Sequence, residues 1–124
     1  MIATRKNFIG LLKDHMQAPE AVNRTETMFE CDSAGTFYVL EYDGDSAGWT
    51  LSHNQLKKLQ KYKKNCIVFL DSENDELFVV FDDNKDFYDS LKNLTSPYKI
   101  SKSYLKKGGY EISWESFDDY LAKP

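Results

Sequence analysis

A chain of 124 residues, 41% hydrophobic and 15% aromatic, is long enough to bury a core of its own and too apolar to be disordered. No apolar run approaches the roughly 18–20 residues that span a bilayer, and the first residues lead into an interrupted apolar pattern rather than a signal-peptide core, so a cytoplasmic protein with no membrane partner is expected. The formal charge of −4 argues against a dedicated nucleic-acid binder, but charge is unevenly placed: Lys57, Lys58, Lys61, Lys63 and Lys64 crowd one segment, and acids crowd another from Asp71 to Asp89.

In chain order, Phe8, Leu11, Leu12 and Met16 recur at helical spacing, with Ile9 widening the stripe, and predict a helix over about 4–17. Ala18-Pro19 ends it, because proline disfavours helix in the residue before it. A strand is expected from about Thr25 to Cys31, a Ser33-Ala34-Gly35 turn, and a second strand over Thr36–Tyr42. Asp43–Gly48 reads as a loop. Asp-Ser-Ala-Gly occurs at Asp32 and again at Asp45, an echo too short for a repeat architecture.

The next helix is the best marked. Ser52 and Gln55 form a capping box, Leu51 and Leu56 suit a hydrophobic staple, and Leu56, Leu59 and Tyr62 form the stripe to be buried. Lys57, Lys58, Lys61 and Lys64 fall on its other faces, and Asn65 ends it. Cys66–Leu70 and Leu77–Phe81 read as strands around an Asp71–Glu76 turn. Asp82 or Asp83 is expected to cap a short helix carrying Phe87 and Leu91. Pro97 breaks the chain, Tyr98–Ser101 suits a small strand, and Gly108-Gly109 a turn. Glu115–Leu121 reads as a last short helix, with Trp114, Phe117, Tyr120 and Leu121 as core candidates. The order is α-β-β-α-β-β-α. A helix between Tyr42 and Cys66 permits a right-handed parallel crossover, so the fold class is α/β (α+β), a small mixed sheet flanked by helices in a single domain over 1–124.

Three acids stand out for chemistry. Asp32 ends the first strand, and Glu41 and Asp43, two apart near the end of the second, share a face. Carboxylates converging at strand ends can hold a hard divalent cation. The bland alternatives are a turn role for Asp32 and a solvent-facing role for Glu41 and Asp43. Cys31 and Cys66 cannot make a zinc site alone and read as buried free thiols. Trp49 is either core or a stacking platform for an unpaired base, and His53 reads as solvated in the first turn of a helix.

Phe29-Glu30-Cys31-Asp32, the strand Val39-Leu40-Glu41-Tyr42-Asp43 and the helix from Gln55 to Tyr62 together resemble the PD-(D/E)XK nuclease superfamily, and more narrowly the archaeal Holliday-junction resolvases. The resemblance covers roughly residues 4–121, by pattern rather than identity. It implies a restriction-endonuclease-like fold and a DNA endonuclease dependent on Mg²⁺ or Mn²⁺. Asp32 and Glu41 would be metal ligands, with Asp14 or His15 (Glu20 as second contender) approaching the ions, and a homodimer is possible on the same analogy. The departure lies at Asp43, which stands where the family has the lysine that orients water and stabilises the transition state. Either Lys57 or Lys58 supplies that amine, or Asp43 is an extra metal ligand, or the site is inactive. In an active or DNA-binding protein, Lys57, Lys58, Lys61 and Lys64 would track phosphates, with Trp49 stacking on a base. Two other classes stay open: a small acidic interaction protein of the immunity or inhibitor type, binding a toxin or host enzyme, and an inactive nuclease-like fold that binds nucleic acid only.

Overall fold

The computed structural model describes residues 2–15, 20–22, 25, 27–31, 35–42 and 48–122. Helix α1 (Arg5–His15) buries Phe8, Leu11 and Leu12. Strands β1 (Glu20–Ala21), β2 (Met28–Cys31) and β3 (Gly35–Glu41) follow as an antiparallel meander. Gly35 opens β3 at φ 102°, and a Cβ there would stand 2.5 Å from the Lys64 carbonyl oxygen, so only glycine fits the turn.

Strand β4 (Gly48–Leu51) leads into α2 (His53–Leu59), where Ser52 Oγ accepts from the Gln55 N–H, the N-cap expected of the capping box. Next come β5 (Asn65–Asp71), β6 (Glu76–Phe81), α3 (Lys85–Leu91), β7 (Tyr98–Ser101), α4 (Lys102–Lys107), β8 (Glu111–Ile112) and α5 (Trp114–Ala122). The main sheet runs β1-β2-β3-β5-β6-β8, and β4 pairs with β7 in a second, two-stranded sheet. The β3–β5 pair is parallel, with α2 in the crossover, and the other pairs are antiparallel.

Side-chain alternation divides the interior into two layers. Phe37, Val39, Val68, Leu70, Leu77 and Val79 meet Phe8, Leu12, Phe117 and Leu121 of α1 and α5. Met28, Tyr38, Ile67, Phe69, Phe78 and Val80 meet Leu56, Leu59, Phe87, Leu91 and the β4–β7 pair. Burial on both faces explains why β5 reads as an unbroken apolar run.

The mixed α and β architecture agrees with the expectation in class, but the two-residue edge strands β1 and β8 were not expected, and four further differences stand out. Gly48–Leu51, read at the sequence level as loop up to Gly48, is strand β4, and its register partner Ile100 lies far along the chain from Trp49. Helix α4 was not expected, because Leu105 is its one buried residue and leaves no periodic stripe to read. Asn84, rather than Asp82 or Asp83, caps α3, its Oδ1 accepting from the Phe87 N–H at 3.1 Å. Asn65 opens β5 instead of ending α2, which stops at Leu59. Among the described residues, no helix is long and apolar enough to cross a membrane.

Candidate functional site

Asp32 and Asp43 lie outside the described residues. Glu41 closes β3 on the face it shares with Phe37 and Val39, toward α1, where its Oε1 is 3.5 Å from Arg5 Nη1. The turn end of the β2–β3 hairpin is marked by the Cys31–Gly35 pair. Glu41 is six residues further along β3, about 20 Å at strand rise. Carboxylates sharing one cation must each bring an oxygen to about 2.3–2.6 Å from it, a reach far shorter than the distance from Glu41 to the Cys31–Gly35 pair.

The lysines expected to assist Glu41 sit elsewhere. Helix α2 packs Leu56 and Leu59 against the opposite face of the sheet, the one carrying Tyr38 and Ile67. The sheet therefore separates Glu41 from Lys57 and Lys58, contrary to the expectation that one of them takes the role of the family lysine. Lys58 Nζ donates to the Val22 carbonyl at 2.6 Å, whereas Lys57, Lys61 and Lys64 are exposed. The Lys64 ammonium also lies 5.8 Å from the centre of the Tyr120 ring.

Asp14 and His15 stand at the far end of α1 from Arg5, about 15 Å along the axis. His15 Nε2 lies 2.6 Å from Asp118 Oδ1 on α5, so a contact between helices engages this histidine. Glu20 faces Glu30 in the β1–β2 register. Among the described residues, no three His, Cys, Asp or Glu side chains converge as a metal site.

Trp49 takes the core role, one of its two expected readings, and not the stacking one. It is 3% exposed, its Nε1 donates to the Leu70 carbonyl, and its ring meets Tyr42, Phe69 and Phe78 edge-on. It presents no face to a base. Cys31 and Cys66 are buried and form no disulfide, as expected, and burial pushes the Cys66 thiol well up.

Among the described residues, three of the eight acids in the Asp71–Asp89 stretch form ion pairs within the fold. Asp71 and Glu76 bind Lys102 at 2.7 and 2.9 Å, Glu76 also binds Lys106 at 2.7 Å, and Asp89 pairs with Lys92. Neither a protein-family model, nor a curated protein, nor a solved structure matches the chain.

What sequence reading missed is a groove between α2 and α3. One section, about 420 Å³, has Leu56, Leu91 and Tyr98 as its low-exposure residues and Lys57 and Lys92 beside them. The other, about 570 Å³, lies where the end of α2, the start of β5 and the start of α3 meet. Gln60 and Tyr88 line both sections, which makes the groove continuous. Its charged residues are Lys57, Lys61, Lys63, Lys85 and Lys92 against Asp82 and Asp83, a basic excess in an acidic chain. Asn65, 8% exposed, uses its Nδ2 on the Tyr62 carbonyl at 2.8 Å. Its Oδ1 and the Tyr88 hydroxyl are buried with no hydrogen-bond partner among the described residues. Burial first, then Cys66 and Asp82, push the Tyr88 phenol up. The only sequence signal for this site was the lysine cluster, because the groove is made by α3 folding alongside α2.

Proposed function

We propose that the chain is an interaction protein that binds an acidic segment of a partner protein in the α2–α3 groove. The observation that carries this reading is the pairing of an apolar floor, Leu56 with Leu91, with a rim of lysines. An apolar anchor supplies affinity, and complementary charge supplies orientation and association rate. The interaction class is the one expected from the sequence as an alternative to a nuclease. Its partner is acidic rather than basic, because lysines outnumber aspartates along the groove.

The test uses a blocked pentapeptide with one leucine between pairs of acidic residues. It is expected to bind with a dissociation constant in the micromolar range, read by fluorescence anisotropy. The double variant Lys57→Glu, Lys92→Glu is expected to weaken it tenfold or more, about 1.4 kcal/mol. Equal affinity in the double variant removes this reading. The same preparation is expected to leave supercoiled, linear and four-way-junction DNA intact with Mg²⁺ or Mn²⁺. Cleavage that Asp32→Ala abolishes would replace the interaction reading with the nuclease one.

A further inference from the structure

The smaller section of the α2–α3 groove carries a side chain of the kind that changes charge near neutral pH. His53 opens α2, is exposed, and lines this section beside Leu56, Lys57, Leu91 and Lys92. His53 and Lys57 are four residues apart on α2, so they share one face of the helix. The imidazole is held from β7: its Nδ1 lies 3.0 Å from the Tyr98 hydroxyl, and the two rings meet edge-on. Its Nε2 has no hydrogen-bond partner among the described residues. The Tyr98 hydroxyl serves either charge state of the ring, donating to a bare Nδ1 or accepting from a protonated one. Protonation therefore adds a cation and an Nε2 donor to the rim without breaking the contact that positions the ring.

The charged groups that share this section with His53 are Lys57 of α2 and Lys92 after α3, the latter with Asp89 at 3.1 Å. Gln60 of α2, Tyr88 of α3 and Tyr98 of β7 are polar and uncharged, as is Ser96, whose hydroxyl accepts from the His53 backbone N–H. No carboxylate lines the section among the described residues, so an imidazolium there meets ammonium groups until an acidic ligand arrives.

We propose that His53 is a proton-dependent contact for the acidic segment bound in the α2–α3 groove. The neutral ring leaves Lys57 and Lys92 as the cations of this section. The imidazolium adds a third and donates from Nε2 to a carboxylate of the segment. Binding tightens as pH falls through the histidine range, and the segment in turn draws a proton onto the ring. This deepens the proposed function and rests on it, by making occupancy of the groove sensitive to acidification.

The blocked pentapeptide is titrated at constant ionic strength at about pH 8 and at about pH 5.5, a span in which its own side-chain carboxylates stay ionised. Affinity is expected to rise about fivefold at the lower pH. By reciprocity, saturating peptide is expected to raise the midpoint of the His53 ring-proton NMR titration by about 0.7 pH unit, the same fivefold. His53→Gln, at an exposed site, is expected to keep the wild-type unfolding midpoint and to bind at both pH values as wild type does at the higher one. The chain's other histidine, His15, contacts Asp118 on the opposite face of the sheet from the groove, so His15→Gln is expected to keep the full dependence. If the pentapeptide binds equally at both pH values, if His53→Gln retains the dependence or His15→Gln removes it, or if the peptide leaves the His53 midpoint in place, the proton-dependent contact is overturned and the groove reading stands. If the pentapeptide binds at neither pH, both are overturned.

Discussion

Asp71 is the one charged residue buried outright among the described residues, and its position dictates its partners. It sits at the end of β5, accepts from the Glu73 and Asn74 backbone N–H groups and from Asn74 Nδ2, and binds Lys102 Nζ at 2.7 Å. Burial alone would raise its pKa, but the Lys102 and Asn74 hydrogen bonds outweigh that and hold it below the ordinary range. Glu76 is lowered first by Lys106, against a burial cost, with Lys102 adding to the effect. In the unfolded chain these carboxyls protonate first as pH falls, so their stabilisation is complete above the ordinary carboxylate range and is lost as pH drops toward the lowered folded values. Lys102→Met leaves Asp71 without its cation and is expected to cost about 3 kcal/mol at pH 7. Its stability, followed by urea unfolding between pH 6 and pH 2, is expected to fall less steeply than that of wild type. Parallel profiles would mean that Lys102 does not set the Asp71 and Glu76 protonation. By contrast the Arg5–Glu41 pair, at 3.5 Å and with both side chains about a third exposed, contributes little.

At the scale of elements, β4 and β7 depend on close backbone approach. A Cβ on Gly48 would stand 1.8 Å from the Ile100 carbonyl oxygen. Gly48→Ala is therefore expected to cost about 2–3 kcal/mol in thermal unfolding and to raise hydrogen exchange first at Thr50 and Ile100; a variant as stable as wild type would show that this pair tolerates separation. The strand itself was half legible. Trp49 and Leu51 are apolar and alternate, but four residues give too short a period to separate strand from loop, and the pairing with β7 is invisible locally. Where local chemistry suffices, the sequence reading agrees with the fold: the Ser52 cap, the stripe of Leu56 and Leu59, the apolar runs of β5 and β6, and the stripe of α1. The candidate metal site was argued from alternation at one hairpin. Alternation does place Glu41 on a definite face, but distance along the strand and the side of the sheet on which α2 packs are tertiary facts. The groove is of the same kind, since Asn65 and Tyr88 line one cleft only because β5 and α3 flank it.

At the scale of the molecule, charge is sorted by the fold. The chain carries −4 overall, yet five lysines and two aspartates line the α2–α3 groove, one of the lysines, Lys92, already paired with Asp89. Both edges of the main sheet are two-residue strands, β1 and β8, bearing exposed Glu20 and Glu111. Short, charged edges disfavour strand addition. Salt separates these contributions. An acidic ligand held by exposed lysines loses attraction as the Debye length shrinks from roughly 14 Å at 50 mM to about 5 Å at 400 mM, whereas burial of its leucine is insensitive to that change. The dissociation constant of the blocked pentapeptide is expected to rise about tenfold over this range and then level off, the residual affinity reporting the Leu56–Leu91 floor. Replacing the peptide's leucine by alanine is expected to lower affinity by a similar factor at every salt concentration. An affinity independent of salt would assign recognition to the floor alone and leave the lysine rim without a role.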